Sequence, residues 1–448
     1  MTKLSKNAGT SFISTILEVP FMNSLSICKH VVSQIKQKLL SPDFIKNFLP
    51  KNRFVRKRKL SAIQVIFYLL YSSKASMFLN LANIRDDLPN IQFPEITKQA
   101  FSKARNSISP MLFKDLFLHS ARGFYDQTHK RKTWKGFHLF AVDGSTIQVP
   151  KTKKNEDTFG LCQNQHHARE DTMARISILY DLLEDILVDG TIQKYHYAER
   201  KMALEHLKYM ETIGLSPNAV LLFDRGYPSY DFYCHISEHG YFYVMRVQGK
   251  VKSITQLGKD DAITEYIPSY RKKEPPVKVR VIHVRLDDGT DECLVTNLFD
   301  PSITVDMFKE LYFLRWGIES KYNELKNQLE VEEFNGATPI SVEQELYISF
   351  LYMNICAMIK AEADRKISAE DSHKKNRYKY QANRAFILGR MKKRLPQILC
   401  GMVKVSSELE RILTESVKRR SQIQPGRKCK RPKMQLRYRH CKNRKTCM

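Results

Sequence analysis

The chain has 448 residues, of which 27% are charged, and a formal net charge of +27, a length that accommodates two or three domains. Its charge is unevenly spread: residues 1–130 carry 20 Lys/Arg against 7 Asp/Glu, residues 418–448 carry 13 Lys/Arg and no acid, and only +1 remains for 131–417. Basic ends on a near-neutral middle read as phosphate-binding modules flanking another domain, and a basic surface kept for solubility would not concentrate charge in this way. Nine scattered cysteines, an odd number with no C-x-x-C pair, exclude a disulfide framework and point to reduced thiols in a cytoplasm.

In chain order, the apolar run 12–17 before Glu18 and Pro20 is too short for a signal peptide. Residues 1–130 read as helical, with amphipathic segments over 25–40, 62–71 and 101–125, and Ser61 is placed to cap the second. The cluster Arg56-Lys57-Arg58-Lys59 precedes that cap. Cations at a helix entrance oppose the dipole, so phosphate binding is the better task for them. From residue 137 the pattern becomes one of strands: 139–150, 175–182 and 186–195, then a helix over 199–213, a strand over 219–224, a helix over 230–238 and a strand over 241–247. The alternating run 277–286, the turn Asp287-Asp288-Gly289 and the run 292–298 are β-hairpin signals. A long helix is expected over 304–330. The apolar stretch 346–359 includes Ser349 and Asn354 and is too short to span a bilayer, which makes it a buried helix. Residues 374–394 read as a basic helix with a turn at Pro396, and the tail past 417 is poor in apolar residues and expected to be disordered when free.

Two carboxylates stand at the ends of buried strands. Asp143 ends Leu139-Phe140-Ala141-Val142, and Asp224 ends Ala219-Val220-Leu221-Leu222-Phe223. A lone carboxylate there is unfavourable unless something compensates it, and a divalent metal is the best compensation. A third acid, Glu319, lies on the long helix, with 94 residues between it and Asp224. At about 100° per residue, Tyr312, Arg315, Glu319 and Lys326 fall within about 60° of one another, beside an apolar stripe of Leu311, Leu314, Ile318, Tyr322, Leu325 and Leu329. A solvated polar edge is the commoner meaning of such a pattern. Four functional side chains in one narrow sector favour a cleft.

The run Tyr312-x2-Arg315-x3-Glu319-x6-Lys326 resembles the Y-x2-R-x3-E-x6-K signature of IS4-type DDE transposases, complete and unsubstituted. The resemblance extends to DGST from Asp143, DRGY from Asp224, Trp316, the stretch from Ala174, the Glu199-Arg200 pair and the stretch from Glu332, so that it covers about residues 95–360. It implies an α/β fold with an RNase H-like catalytic core, a mixed five-stranded sheet with helices. The family interrupts this core with a β-rich insertion and precedes it with a helical DNA-binding domain. On this chain the domains would be 1–130 for DNA binding, 131–340 for the core with its insertion at about 248–300, 341–416 for a C-terminal helical region and 417–448 for the basic tail.

The implied activity is that of a transposase which binds the inverted-repeat ends of its element and, most simply by a cut-and-paste route, cleaves and joins DNA. Asp143, Asp224 and Glu319 would be both the catalytic residues and the ligands of two Mg²⁺ ions, with Mn²⁺ able to substitute. Tyr312, Arg315 and Lys326 would grip phosphates, and Trp316 would stack on a displaced base or else be a core tryptophan. Partners would be the element ends, target DNA and a second copy of the chain in a synaptic dimer, with a prokaryotic, nucleoid-associated location. Two competing readings are an RNase H-like nuclease that does not join strands and a domesticated, non-catalytic DNA-binding protein. The spacing of Cys429, His440, Cys441 and Cys447 fits no usual zinc pattern, and His166 and His167 are adjacent, which on a strand points them to opposite faces.

Overall fold

The computed structural model describes residues 23–54, 59–128, 130–163, 170–248, 254, 259–286, 289–372 and 377–423. Helices open the chain: α1 (Ser24–Leu40), α2 (Pro42–Lys46), α3 (Ala62–Tyr71), α4 (Met77–Asp87), α5 (Lys98–Arg105) and α6 (Met111–Gln127). Ser61 caps α3 as its sequence predicts. Its Oγ accepts the Gln64 N–H at 3.4 Å while Gln64 Oε1 accepts the Ser61 N–H at 2.8 Å. The single helix expected over 101–125 is instead α5 and α6, because Pro110, which caps α6, has no N–H with which to continue a ladder.

The strand region then runs β1 (His138–Gln148), α7 (Lys153–Phe159), β2 (Leu161–Gln163), β3 (Glu170–Asp181), β4 (Ile186–Lys194), α8 (Glu199–Thr212), β5 (Ala219–Phe223), α9 (Tyr230–Glu238), β6 (Phe242–Val247), β7 (Asp261–Tyr266), β8 (Val277–Arg285) and β9 (Asp291–Thr296). The expected succession of three long strands, helix, strand, helix and strand is present, with the short α7 and β2 added between the first two. The strands lie side by side as β4-β3-β1-β5-β6-β9-β8-β7, in a large mixed sheet. β1 and β6 flank β5 in parallel, and every residue of β5 has 0% exposure, which is why that strand reads as an unbroken apolar run. The hairpin strands β7, β8 and β9 lengthen the same sheet, with β9 antiparallel to β6. Arg280 Nε and Nη2 donate to the two carboxylate oxygens of Asp261 at 2.8 and 2.6 Å, holding β8 to β7.

The long helix expected over 304–330 is broken. It consists of α10 (Val305–Leu314), α11 (Trp316–Asn323) and a π-turn over Glu324–Gln328. The break falls at Arg315, whose N–H bonds to the Tyr312 carbonyl at 3.1 Å, one residue short of a regular turn. Gly317 explains it in part. A Cβ there would lie 3.2 Å from Leu182 Cδ2 and 3.5 Å from Tyr180 Cε1, so the backbone of α11 is drawn tightly onto the end of the β3–β4 hairpin and the run bends.

The chain closes with α12 (Pro339–Asp371), β10 (Lys379–Ala382), α13 (Arg384–Leu399), α14 (Val405–Lys418) and β11 (Arg420–Ile423). Residues 346–359 are buried throughout within α12, which packs against α1, α6, α13 and α14. Pro396, expected at a turn, lies inside α13, where Leu395, Ile398 and Leu399 are fully buried and hold the last turn despite the missing N–H. The chain divides into two compact units. One holds Lys130–Ile147 and Met173–Glu324; the other holds the described parts of Phe21–His129, Gln148–Thr172 and Leu325–Met448. Among the described residues, six cysteines are free thiols and no helix is long and apolar enough to cross a membrane.

Candidate active site

The parallel register of β1 and β5 pairs Ala141 with Leu222, and continued by two residues it sets Asp143 opposite Asp224. Asp143 does not end its strand as its sequence suggests, since β1 runs on to Gln148, whereas Asp224 directly follows the last residue of β5. Asp143 Oδ1 accepts the Gly144 N–H at 2.8 Å, and the Asp143 carbonyl accepts from Tyr322 Oη at 2.6 Å and from Ser177 Oγ at 3.2 Å. Asp224 begins a tight turn closed by the Tyr227 N–H on its carbonyl at 3.1 Å. The Asp143 carboxyl is pushed up to about 7, first by burial and then by the Asp224 and Glu199 charges, against the pull of the Arg315 guanidinium and the Gly144 N–H.

The broken helix supplies the rest. Tyr312 Oη, at the end of α10, lies 3.5 Å from Asp224 Oδ1. Arg315 is 4% exposed at the break and donates from Nη2 to Glu319 Oε1 at 3.1 Å. Its guanidinium lies 5.4 Å from the Tyr312 ring centre, and its buried Nε has no hydrogen-bond partner. Burial works against this cation, but Tyr312, Asp224, Asp143 and Glu319 together outweigh it and raise its affinity for the proton. A guanidinium this deeply placed persists because acids surround it.

Glu199 also belongs here, and sequence reasoning had noted it only as part of a pair with Arg200. It opens α8, where its charge suits the helix N-terminus. Arg175 Nη1 on β3 is hydrogen-bonded to Glu199 Oε1. A Cβ on Gly144 would lie 2.9 Å from the Glu199 Cδ, and a Cβ on Gly226 3.5 Å from its Oε2. The glycine that follows each aspartate closely thus leaves room for the same carboxylate. A glycine one residue after Asp143 and two after Asp224 was the signal available in the sequence. Tyr322, which bonds to the Asp143 carbonyl, was likewise missed as part of the site because it reads as a residue of the apolar stripe.

Tyr312, Arg315, Glu319, Asp143 and Asp224 are therefore gathered within one unit. Trp316 is 47% exposed, so it is no core tryptophan, and Phe313 beside it is 70% exposed. Lys326 is half-buried in the π-turn, in the other unit, so the expected single face of four side chains is not one regular helix face. Lys59 is exposed. Arg56, Lys57 and Arg58 lie outside the described residues, as do Asp287 and Asp288, His166 and His167, and the tail with Cys429, His440, Cys441 and Cys447.

The donor chemistry suits a hard divalent cation such as Mg²⁺, since Asp143 and Asp224 offer carboxylate oxygens on adjacent strand registers. Tyr227 is 1% exposed, and among the described residues its hydroxyl has no hydrogen-bond partner although it feels the charges of Asp143, Glu199 and Asp224. An ion with its water would meet both needs. Glu319 is turned to Arg315, and among the described residues no three His, Cys, Asp or Glu side chains close around a common point.

The family model "Transposase DDE domain" matches residues 134–355, from just before β1 into α12. The transposase InsG for insertion sequence element IS4 of Escherichia coli K12 is 24% identical over 336 residues, 70% of this chain and 74% of that protein. A putative transposase, y4zB, of Sinorhizobium fredii is 26% identical over 163 residues, 33% of this chain and 45% of that protein. A cryo-EM structure of the piggyBac transposase synaptic complex with hairpin DNA aligns at a TM-score of 0.46 and 10% identity, over 89% of this chain and 85% of that chain. With its signature complete from Tyr312 to Lys326, the chain belongs to the IS4-type DDE transposases.

Proposed function

We propose that this chain, a member of a DNA transposase family, binds the inverted-repeat ends of its own element and target DNA as a dimer, and carries out metal-dependent cleavage and strand transfer by a cut-and-paste route. The observation that carries the reading is the register that sets Asp143 and Asp224 side by side on β1 and β5, with Arg315 and Glu319 beside them. The strand order β4-β3-β1-β5-β6 with α8 and α9 between the last three supports an RNase H-like core, which the hairpin strands β7, β8 and β9 would interrupt.

In this reading Asp143, Asp224 and Glu319 are the catalytic carboxylates and hold two Mg²⁺ ions, with Mn²⁺ as a substitute. Bound there, the metal supplies Lewis-acid stabilisation of charge on the phosphate and on the leaving 3′ oxygen. The protein's own residues do the positioning. Arg315, which donates to Glu319 in this structure, would hold the scissile phosphate. Tyr312 holds Asp224 through its hydroxyl, and Lys326 grips a neighbouring phosphate. Trp316, exposed next to Arg315, offers a stacking face for a base. Residues 1–130 bind DNA, with Arg56, Lys57, Arg58 and Lys59 on phosphates.

The test is an assay of purified protein on duplexes carrying the ends of the element, with Mg²⁺ or with EDTA. The reading predicts cleaved ends and joined products with Mg²⁺ and neither with EDTA. Cleavage without joining in Mg²⁺ would leave a nuclease, and binding with neither product would leave a DNA-binding protein without catalysis.

A further inference from the structure

Glu199 borders the backbone just after Asp143 and Asp224, and neither it nor its partner Arg175 has a task in the reaction as proposed. Arg175 Nη1 is bonded to Glu199 Oε1, and Arg175 Nε is fixed by the Tyr195 carbonyl at 2.9 Å. Their side chains are 20% and 30% exposed, so neither charge is fully screened by water. The Glu199 carboxylate fills the space at Gly144 and borders Gly226, and the neighbouring Arg200 donates from Nε to the Gly226 carbonyl at 3.3 Å. One helix terminus thus braces the β1 backbone immediately after Asp143 and the turn that begins at Asp224.

We infer that Glu199 is a positioning residue, which braces the backbone just after Asp143 and Asp224 and neutralises Arg175, so that this guanidinium does not oppose a divalent cation held by the two aspartates. The inference rests on the reading of those aspartates as metal ligands. Without the Glu199 charge, the Arg175 guanidinium would stand without its carboxylate partner beside the site, and a cation there opposes the binding of a second one. Outer groups that orient metal-binding side chains change metal affinity by about 10–100-fold when removed.

The experiment uses the full-length protein without DNA. Mn²⁺ affinity is measured by calorimetry, thermal melting reports the fold, and end cleavage is titrated with Mn²⁺. Glu199→Gln keeps the side-chain shape at Gly144. It is expected to melt close to wild type, to bind Mn²⁺ about tenfold or more weakly, and to recover most of its cleavage rate when Mn²⁺ is raised. The double variant Arg175→Gln/Glu199→Gln, with the stranded cation gone, is expected to return to near wild-type affinity. Wild-type Mn²⁺ affinity in Glu199→Gln, or a double variant no better than Glu199→Gln, would overturn the inference and leave a purely structural ion pair. Asp143→Asn is the control for the underlying reading: if it binds Mn²⁺ as wild type does, the ligand assignment fails whatever Glu199 does.

Discussion

Tyr322 donates its hydroxyl to the main-chain carbonyl of Asp143 at 2.6 Å, so the helix that carries Glu319 is tied directly to the strand that carries Asp143. The two residues stand 179 positions apart in the chain. Tyr322 is 7% exposed and three residues from Glu319, which makes the tie a determinant of where the third acid sits. Replacing Tyr322 with Phe keeps the ring and removes the hydrogen bond. The expected loss is about 1 kcal/mol of stability, kept modest because Ser177 Oγ still donates to the same carbonyl. End cleavage should fall by more than that loss of folded protein explains. Urea unfolding beside a cleavage assay reads both, and an unchanged cleavage rate would show that the tie does not position Glu319.

A second anchor of the same helix is Lys321. Its Nζ lies 2.5 Å from Asp185 Oδ1 and 3.2 Å from Glu324 Oε2, and the Glu324 side chain is 3% exposed. Lys321→Met would take its cation from the buried Glu324 carboxylate, at a loss of about 3–5 kcal/mol. The double variant Lys321→Met/Glu324→Leu should regain most of it. The midpoint of urea unfolding decides the matter, and a single variant as stable as wild type would mean that Glu324 reaches water.

The acidity of Asp143 yields a pH dependence. Burial and the neighbouring Asp224 and Glu199 hold its carboxyl at about 7 in the folded protein, against Arg315 and the Gly144 N–H, whereas an unfolded aspartate titrates near 3.9. The folded state therefore favours the proton. Its stabilising contribution is complete below about pH 4 and is lost as pH rises through about 7. In EDTA, wild type should lose melting temperature relative to Asp143→Asn between about pH 5 and about pH 8. A constant difference between the two proteins across that range would place the Asp143 carboxyl in water.

Much of the sheet was legible because burial on both faces leaves no room for polar residues. Ala219 to Phe223 and Leu139 to Val142 are apolar without interruption, and the first charge after each is the aspartate, just past β5 for Asp224 and still within β1 for Asp143. The signature from Tyr312 to Lys326 marked the helix in the same way. The bend at Arg315 was not legible, since a regular 3.6-residue period assumes a straight axis and the bend comes from Gly317 packing against Leu182, 135 positions earlier in the chain. Glu199 was hidden for a related reason. Its partners Arg175, Gly144 and Gly226 come from three other segments, and only the fold brings them together. Pro110 opened a new helix where one continuous helix was expected, while Pro396 did not end another, because the buried side chains around Pro396 hold its turn closed.

The basic N-terminal cluster gives a prediction that reads through salt. Neutralising Arg56, Lys57, Arg58 and Lys59 together should weaken DNA binding broadly and flatten the dependence of log affinity on log salt, by about 0.9 for each phosphate that the protein ceases to neutralise. Arg315→Ala, by contrast, should leave that slope nearly unchanged and impair cleavage. Titrations across a salt series separate the two. An unchanged slope in the cluster variant would mean that these cations do not face DNA.

The account turns on three carboxylates acting in chemistry and not in DNA affinity. The direct measurement is end cleavage in Mg²⁺ by Asp143→Ala, Asp224→Ala and Glu319→Ala, each paired with a binding titration on the same duplex. The account predicts cleavage reduced to background in all three, at about 10³-fold or more below wild type, with affinity for the ends kept within about threefold. Near wild-type cleavage by any one of them would remove that residue from the site and contradict the account.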